Sequence, residues 1–297
     1  MHRIDTPTAQ VDKFGAGKNG FTGGNPQTGE LPTALDASFF DSVQEEISGV
    51  IEAAGLKLIK AKNDQLLNAI NLLVSSGRLM NVRVFIASGN YTPSAGTKRI
   101  KVTVVGGGGG GGGSAATDAN TRSCGAGGGA GNTAISLLDV SSLTFPVSIN
   151  VGTAGAAGAA GGGSGGSGGQ GGTTTFGTYI NATGGFGGGG GSLASDSLTA
   201  VTTNGGTSAA PTTGNILNQR GSAGLQGIVG SNAIVSGAGG ASSLGGGGNP
   251  VAAGASTAGE NGIYGGGGSG SISIKSSQIG RAGGAGGLGV VVIEEYA

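Results

Sequence analysis

Residues 152–172 read GTA-GAA-GAA-GGG-SGG-SGG-QGG, which is a run of seven triplets. Glycine takes the first position in the first four triplets and the last two positions in the last four. A repeat of three matches neither the helical period of about 3.6 nor the strand period of about 2. It is the period of a polyproline-II-type helix, which rises about 3.1 Å per residue.

Such a helix has no internal hydrogen bonds, so its backbone groups need partners in neighbouring segments. A row of glycine residues along one side of the helix lets a neighbouring segment approach closely enough to supply these hydrogen-bond partners. As one helix the stretch would run roughly 65 Å, which is long for a domain of this size. The glycines at 161–163 permit a reversal. We therefore predict two legs of a packed polyglycine-II helix lattice, with the reversal near Gly162.

Two other interpretations compete with the lattice. Collagen also repeats glycine every third residue, but it needs abundant proline, and there is none between Pro146 and Pro211. A disordered Gly/Ser linker is the default for this composition, because glycine loses the most entropy on ordering. Against the linker, apolar β-branched segments separate the glycine runs.

The composition limits both core and chemistry. The 297 residues include 72 Gly, and only 10% are charged and 4% aromatic, so a conventional side-chain core throughout the chain is not expected. The net charge is zero, which gives no reason to expect binding to nucleic acid. With no run of about 18 apolar residues, we expect no membrane insertion.

The first part of the chain divides into two segments. Residues 1–35 are rich in Pro and Gly, and we predict an extended segment that orders against a partner. Residues 36–80 read as a helical segment that Asp36 or Ser38 can cap and Gly77 ends.

Apolar residues in this helical segment follow a heptad pattern. Ile59, Asn63, Leu66, Ile70 and Leu73 are spaced 4-3-4-3, which is an a/d seam with Asn63 at an a position. An antiparallel hairpin that turns at Gly55 would bury such a seam within one chain. We favour parallel self-association as a short trimeric coiled coil, in which Asn63 fixes the register.

Residues 81–297 form the third predicted segment, a mostly irregular and β glycine-rich domain. Alternating apolar residues in 82–86 and 100–104 predict two antiparallel strands that lead into the glycine run 106–113. If glycine runs travel out and back, apolar segments such as 134–151 and 173–183 collect in a strand base. Polar segments such as 114–124 then lie in loops at the opposite tip.

Residues for catalysis or metal binding are scarce. His2 is the only histidine, so neither a histidine-based triad nor a site with several histidines can form. Cys124 is the only cysteine and lies in a polar segment, where we expect an inert thiol. The GxGxxG matches lack a strand–turn–helix context. We expect no enzyme activity, no cofactor and no metal site.

The opening MHRIDTPTAQVDKFGAGKNGFTGGNPQTGE and the helix that follows, about residues 1–75, resemble the N-terminus of tail fibre proteins of tailed phages and prophages. The second half, from FIASGNYTPSAGTKRIKVTVV to GGAGGLGVVVIEEYA, is similar to the glycine-rich distal domain of such fibres. Its pattern also resembles the polyglycine-sandwich tip adhesins of T-even-like phages. Unlike long fibres, this chain has almost no shaft between helix and tip.

The resemblance implies an adhesin in the virion tail. Residues 1–35 would attach a homotrimeric fibre to a tail or baseplate protein, and distal loops would bind a bacterial surface receptor, protein or polysaccharide. The first residues lack the apolar segment of a signal peptide, so we expect synthesis in the host cytoplasm. The candidate receptor-binding residues in the predicted tip loops are Asp118, Asn120, Arg122, Asp196, Asn261 and Tyr264. A structural adaptor or spacer without recognition activity is the alternative.

Overall fold

The computed structural model describes residues 2–75, 77–195, 201–208, 213–230, 233–252 and 254–297. The chain divides into two compact units, Met1–Arg78 and Leu79–Ala297. The segments predicted at 1–35 and 36–80 thus belong to one unit. The glycine-rich unit begins two residues before the predicted boundary.

The described residues are mostly strand and irregular structure, with two α-helices. In chain order the elements are α1 (Ala37–Ala53), α2 (Gln65–Ser75), β1 (Leu79–Phe85), β2 (Gly89–Tyr91), β3 (Arg99–Val105), β4 (Thr121–Cys124), β5 (Thr133–Asp139), a 3-10 turn (Val140–Ser142), β6 (Val147–Asn150), β7 (Thr174–Phe176), β8 (Ile180–Ala182), β9 (Ala194–Ser195), β10 (Val201–Thr203), β11 (Leu217–Gln219), β12 (Gly227–Val229), β13 (Ile234–Val235), β14 (Ile272–Ser273) and β15 (Val290–Tyr296).

Asp36 caps α1, as its sequence position predicts. Its carboxylate accepts a hydrogen bond from Ser38 N at 3.3 Å and another from the Ser38 hydroxyl. The hydroxyl bond is the main reason that the pKa of Asp36 is lowered. The preceding segment folds back onto this helix start, because Phe21 and Phe39 meet edge to face at 5.3 Å. Phe21 therefore packs on the chain's own helix, and the ordering of residues 1–35 against a partner stays a prediction.

The predicted helical seam is interrupted. Gly55 ends α1 with a φ of +74°, and α2 begins only at Gln65. The Gln65 side chain accepts from Ile59 N at 2.8 Å and donates to Ile59 O at 3.0 Å, which stabilises the non-helical connection. Ile59 and Asn63 lie in this connection, so the prediction that one helix carries both was wrong.

The rest of the seam lies on α2. Leu66, Ile70 and Leu73 are 36%, 44% and 47% exposed, although α1 and α2 contact each other and Ala69 is buried. Contact between the two helices is the feature that the hairpin alternative predicts. The association of α2 with other copies stays a prediction.

The base sheet has the strand order β1-β15-β3-β5-β11, and each adjacent pair is antiparallel. The strands predicted at 82–86 and 100–104 are both present, but the C-terminal strand β15 lies between them and is antiparallel to each. The two strands therefore run parallel to one another, and the prediction that they are antiparallel was wrong. One face, with Val102, Val104 and Ile293, is buried against a second sheet of order β2-β6-β7-β8. Tyr91 and Phe176 of that second sheet complete the main apolar core.

The glycine run 106–113 is bonded to neighbouring segments with a period of three. Its N–H groups donate in rotation to three neighbours, at distances of 2.8–2.9 Å. The first neighbour is segment 165–172, which accepts from Gly107, Gly110 and Gly113 through Gly172, Gly169 and Gly166. The second is segment 280–289, which accepts from Gly108 and Gly111 through Gly287 and Gly284. The third is segment 125–131, which accepts from Gly109 and Gly112 through Gly129 and Ala126. Carbonyls of the run accept from further segments, for example from Gly155, Gly185 and Gly268. We call this assembly the glycine bundle.

Successive passes of the glycine bundle run alternately away from the base sheet and back to it. The passes are 106–113, 125–131, 152–161, 165–172, 184–191, 204–208, 221–227, 237–241, 245–250, 257–264, 265–273 and 280–289. The reversal predicted near Gly162 is confirmed, because 152–161 and 165–172 are adjacent and antiparallel. The end of the bundle remote from the base sheet is called the far end.

Candidate functional site

The far end is held together by short strands and a small apolar cluster. β4 pairs antiparallel with β14 and with β9, and the second pairing places Ala194 and Ser195, in the described start of segment 192–204, beside Thr121 and Arg122. Cys124, Ala194 and Ile272 are buried here, together with Val229 and Ile234. The sequence predicted polar loops at this end and missed the apolar cluster beneath them.

A tight turn at 118–121 projects from this end. Asp118 Oδ1 accepts from Asn120 N at 2.8 Å and from the Thr121 hydroxyl at 2.8 Å. The bond from Asn120 N is the main reason that the pKa of Asp118 is lowered, so the carboxylate is ionised at neutral pH. Asp118 and Asn120 are exposed, and the turn therefore presents a fixed negative charge beside an amide.

A second turn, residues 274–279, lies against the first. Ser276 N donates to Asp118 O at 2.7 Å, and Ser277 N donates to the buried Thr117 hydroxyl at 3.0 Å. Gln278 is exposed and Ile279 is 67% exposed. The sequence analysis missed this turn. The short break between the glycine-rich stretches 265–270 and 280–287 was the available signal.

The predicted tip residues separate into three groups. Asp118, Asn120 and Arg122 lie together at the far end, on the first turn and β4. Asp196 lies outside the described residues. Asn261 and Tyr264 do not lie at the far end.

The return pass 257–264 explains where those last two residues are. It begins at the far end, where Thr257 bridges to Ile272, and runs back toward the base sheet. Asn261 Oδ1 accepts from Ala285 N at 2.8 Å part-way along the bundle. Tyr264 precedes Gly265, which lies next to the end of β3. An added Cβ on Gly265 would lie only 2.6 Å from Val105 Cγ1. Assigning the whole polar segment to the tip was therefore wrong, because its residues span the bundle.

Cys124 is buried, and this burial raises the pKa of its thiol to about 12. The thiol is therefore protonated at neutral pH and is a poor nucleophile.

Three potential metal ligands meet in the N-terminal unit, where the sequence predicts none. The ligand atoms of His2, Asp5 and Asp36 lie within 4.8 Å of one another, and His2 Nε2 is 3.9 Å from Asp36 Oδ2. His2 and Asp5 are exposed. Exposed acidic groups often cluster in this way without binding an ion.

In the part of the chain that the structure describes, neither helix combines the length and apolar character needed to cross a bilayer.

Two comparisons relate this chain to known proteins. A stretch of 76 residues is 62% identical to an uncharacterized protein named StfP from Escherichia coli (strain K12). The match covers 26% of this chain and 36% of that relative, so the chain spans little more than a third of its length. The sequence profile described as a glycine-rich domain matches residues 86–296, which is most of the chain. The chain therefore belongs to the glycine-rich domain family.

Proposed function

We propose that this chain is a non-enzymatic tail fibre protein of a tailed phage or prophage, located in the virion tail. Residues 1–35 attach it to a tail or baseplate protein, and the far end binds a bacterial surface receptor. The proposal rests on the resemblance of residues 1–75 to tail fibre N-termini. It rests equally on the exposed turns at the end of a hydrogen-bonded frame.

The frame itself is proposed to be a polyglycine-II lattice. The rotation of N–H donors among three neighbours supports this, because an extended helix with about three residues per turn directs successive groups about 120° apart. A β-sheet would direct them to two opposite neighbours instead. Rigidity of this frame is what makes the far-end turns suitable for recognition, since binding residues usually lie on loops that a scaffold positions.

The observation that carries the recognition proposal is the bond between the two turns. Segments 118–121 and 274–279 are far apart in sequence, yet Ser276 N donates to Asp118 O at 2.7 Å. This places the turn that carries the exposed Asp118 and Asn120 next to the turn that carries the exposed Gln278 and Ile279. The receptor is a protein or a polysaccharide, and a mixed polar and apolar surface suits either.

Self-association through α2 completes the proposed fibre. Leu66, Ile70 and Leu73 leave apolar surface exposed on one chain, which a trimer would bury. No nucleic acid, cofactor or membrane insertion is needed for this function.

A structural adaptor or spacer is the second candidate. One observation favours it: the Asp118 carboxylate is already engaged by its own turn, which leaves fewer polar groups free for a ligand.

Replacement of both turns separates the two candidates. Residues 118–120 and 276–279 are exchanged for Gly/Ser sequence, and adsorption of the purified protein to a panel of bacterial strains is measured. Tyr264→Ala, an exposed aromatic at the base end, is the control. We expect the exchange to abolish strain-specific adsorption and the control to keep it. Unchanged adsorption with an unchanged melting temperature would exclude these turns and favour the spacer.

A further inference from the structure

The N-terminal unit contains a pocket of about 430 Å³, which we call the aromatic pocket because three phenylalanines line it. Phe14, Phe21 and Phe39 contribute their rings, and the buried Ile4 also belongs to the lining. Phe14 is 64% exposed and Phe21 is 39% exposed, so much of this aromatic surface is accessible. Pockets that receive ligands and the central parts of protein interfaces are lined in this way.

The position of Phe14 is fixed by a short hairpin. Gln10 and Gly20 exchange backbone hydrogen bonds at 2.8 and 2.9 Å, and Phe14 N donates to Lys18 O at 3.1 Å. An added Cβ on Gly20 would lie 2.8 Å from Phe14 Cε2, so the ring packs directly against the Gly20 backbone. The pocket is therefore formed before a partner arrives, which lowers the entropy cost of binding.

Arg3 supplies a cation in the lining of the same pocket. Arg3 is exposed, and within residues 2–75 its guanidinium makes neither an ion pair nor a hydrogen bond. The carboxylate of Asp5, two positions along the chain, instead lies within 4.8 Å of the ligand atoms of His2 and Asp36. A carboxylate is the partner that a guanidinium binds best, through two parallel hydrogen bonds. The pocket thus fits an occupant that combines an apolar group with a carboxylate.

We propose that the aromatic pocket receives an apolar side chain of a partner protein, next to an acidic residue that pairs with Arg3. The pocket is then the contact point in the attachment to a tail or baseplate protein proposed above, on which this inference rests. Aromatic residues and arginine are the side chains that most often dominate the binding energy of interfaces. A purely apolar occupant would leave the Arg3 charge without a partner.

The test is binding of short peptides to the full chain, measured by saturation-transfer NMR. The first peptide has phenylalanine beside glutamate between two glycines, in either order, and is blocked at both ends so that glutamate provides its only carboxylate. The second has glutamine in place of glutamate, and the third has alanine in place of phenylalanine. We expect the first to bind about threefold more tightly than the second, which is the size of an exposed ion pair. The third should show no measurable binding.

Two substitutions separate the contributions of charge and apolar surface. Arg3→Gln should remove the preference for glutamate over glutamine, and Phe14→Ala should weaken binding of the first peptide at least tenfold. Lys57→Gln and Val11→Ala are the matched controls, because both residues are exposed in the same unit but do not line the pocket. Both controls should bind like the wild type, and circular dichroism establishes that each variant is folded.

Failure of all three peptides to bind the wild type, or equal binding to the wild type and Phe14→Ala, would overturn the inference. A smaller sedimentation coefficient of Phe14→Ala without peptide would assign the pocket to a second copy of the chain, which also overturns it. The attachment proposal is tested separately by deleting residues 2–35. Retention of the shortened chain in phage tails would overturn that proposal, whatever the peptides show.

Discussion

Gly109 lies at a point in the glycine bundle where no side chain fits. An added Cβ would overlap the Phe186 carbonyl oxygen and stand 2.9 Å from Gly187 N. Both are backbone atoms, which cannot move aside as a flexible side chain would. Gly109→Ala should therefore destabilise the protein by at least about 2 kcal/mol, through overpacking and weakened hydrogen bonds.

Gly246→Ala is the matched control for this substitution. Gly246 lies in another glycine run, and an added Cβ there meets nothing within 4 Å. Thermal unfolding should show a clear loss for Gly109→Ala and almost none for Gly246→Ala. Equal melting temperatures would mean that the segments are not packed as described.

Glu295 gives the base sheet a dependence on pH. Its side chain is fully buried on β15, where it accepts from the Tyr91 hydroxyl at 2.9 Å and lies 3.4 Å from Arg83 Nε. Burial acts to raise the pKa of Glu295, but Ser94, Tyr91 and the Arg83 charge outweigh it, so the pKa is lowered. The ionised form thus stabilises the fold above the ordinary pKa of 4.5, and this contribution is lost as pH falls through the lowered value.

We expect Glu295→Gln to lose stability at neutral pH because the charge opposite Arg83 is removed. The difference in melting temperature from the wild type should shrink as the pH falls below about 4.5, since the wild type then loses the same charge. A difference that stays constant from pH 7 to pH 3 would show that the charge of Glu295 does not contribute.

At the scale of elements, α2 carries the proposed self-association. Ile70→Asp places a charge on its exposed apolar face and should raise the dissociation constant of the oligomer at least tenfold. Asn71→Asp adds the same charge at a neighbouring exposed position with a polar side chain, and should change little. Sedimentation velocity distinguishes them; equal behaviour of the two variants would remove α2 from the interface.

Some elements could be predicted because their signals are local. The Asp36 cap, the end of α2 before Gly77 and the reversal near Gly162 each depend on a few adjacent residues. The break in the heptad seam depends on Gln65 bonding to the backbone of Ile59, which spacing alone does not reveal. The insertion of β15 between β1 and β3 is a pairing between distant parts of the chain, and no local pattern encodes it.

The candidate site shows the same division. The position of segment 114–124 followed from counting passes of the bundle, and the neighbouring Asp118, Asn120 and Arg122 were placed correctly by that count. Tyr264 was misplaced because a polar composition does not tell a loop from a pass. The turn at 274–279 was missed because its role comes from the bond between Ser276 and Asp118, across more than half of the chain.

At the scale of the whole molecule, the central claim is that the glycine-rich unit is an ordered frame. Its composition would suit a disordered linker, and only the lateral hydrogen bonds distinguish the two. In the ordered bundle, the N–H groups of each pass donate hydrogen bonds to carbonyls of neighbouring passes. Opening one pass therefore requires breaking hydrogen bonds to several neighbours. The frame then keeps the far-end turns in fixed positions for recognition.

Amide hydrogen exchange of residues 106–113 tests this claim most directly. Each N–H in the run donates to another segment, so we predict exchange at least a thousandfold slower than in an unstructured chain, about 4 kcal/mol of protection. Gly162 and Gly163, at the exposed reversal, provide the internal comparison and should exchange fast. Exchange of 106–113 as fast as that of these two glycines would contradict the account.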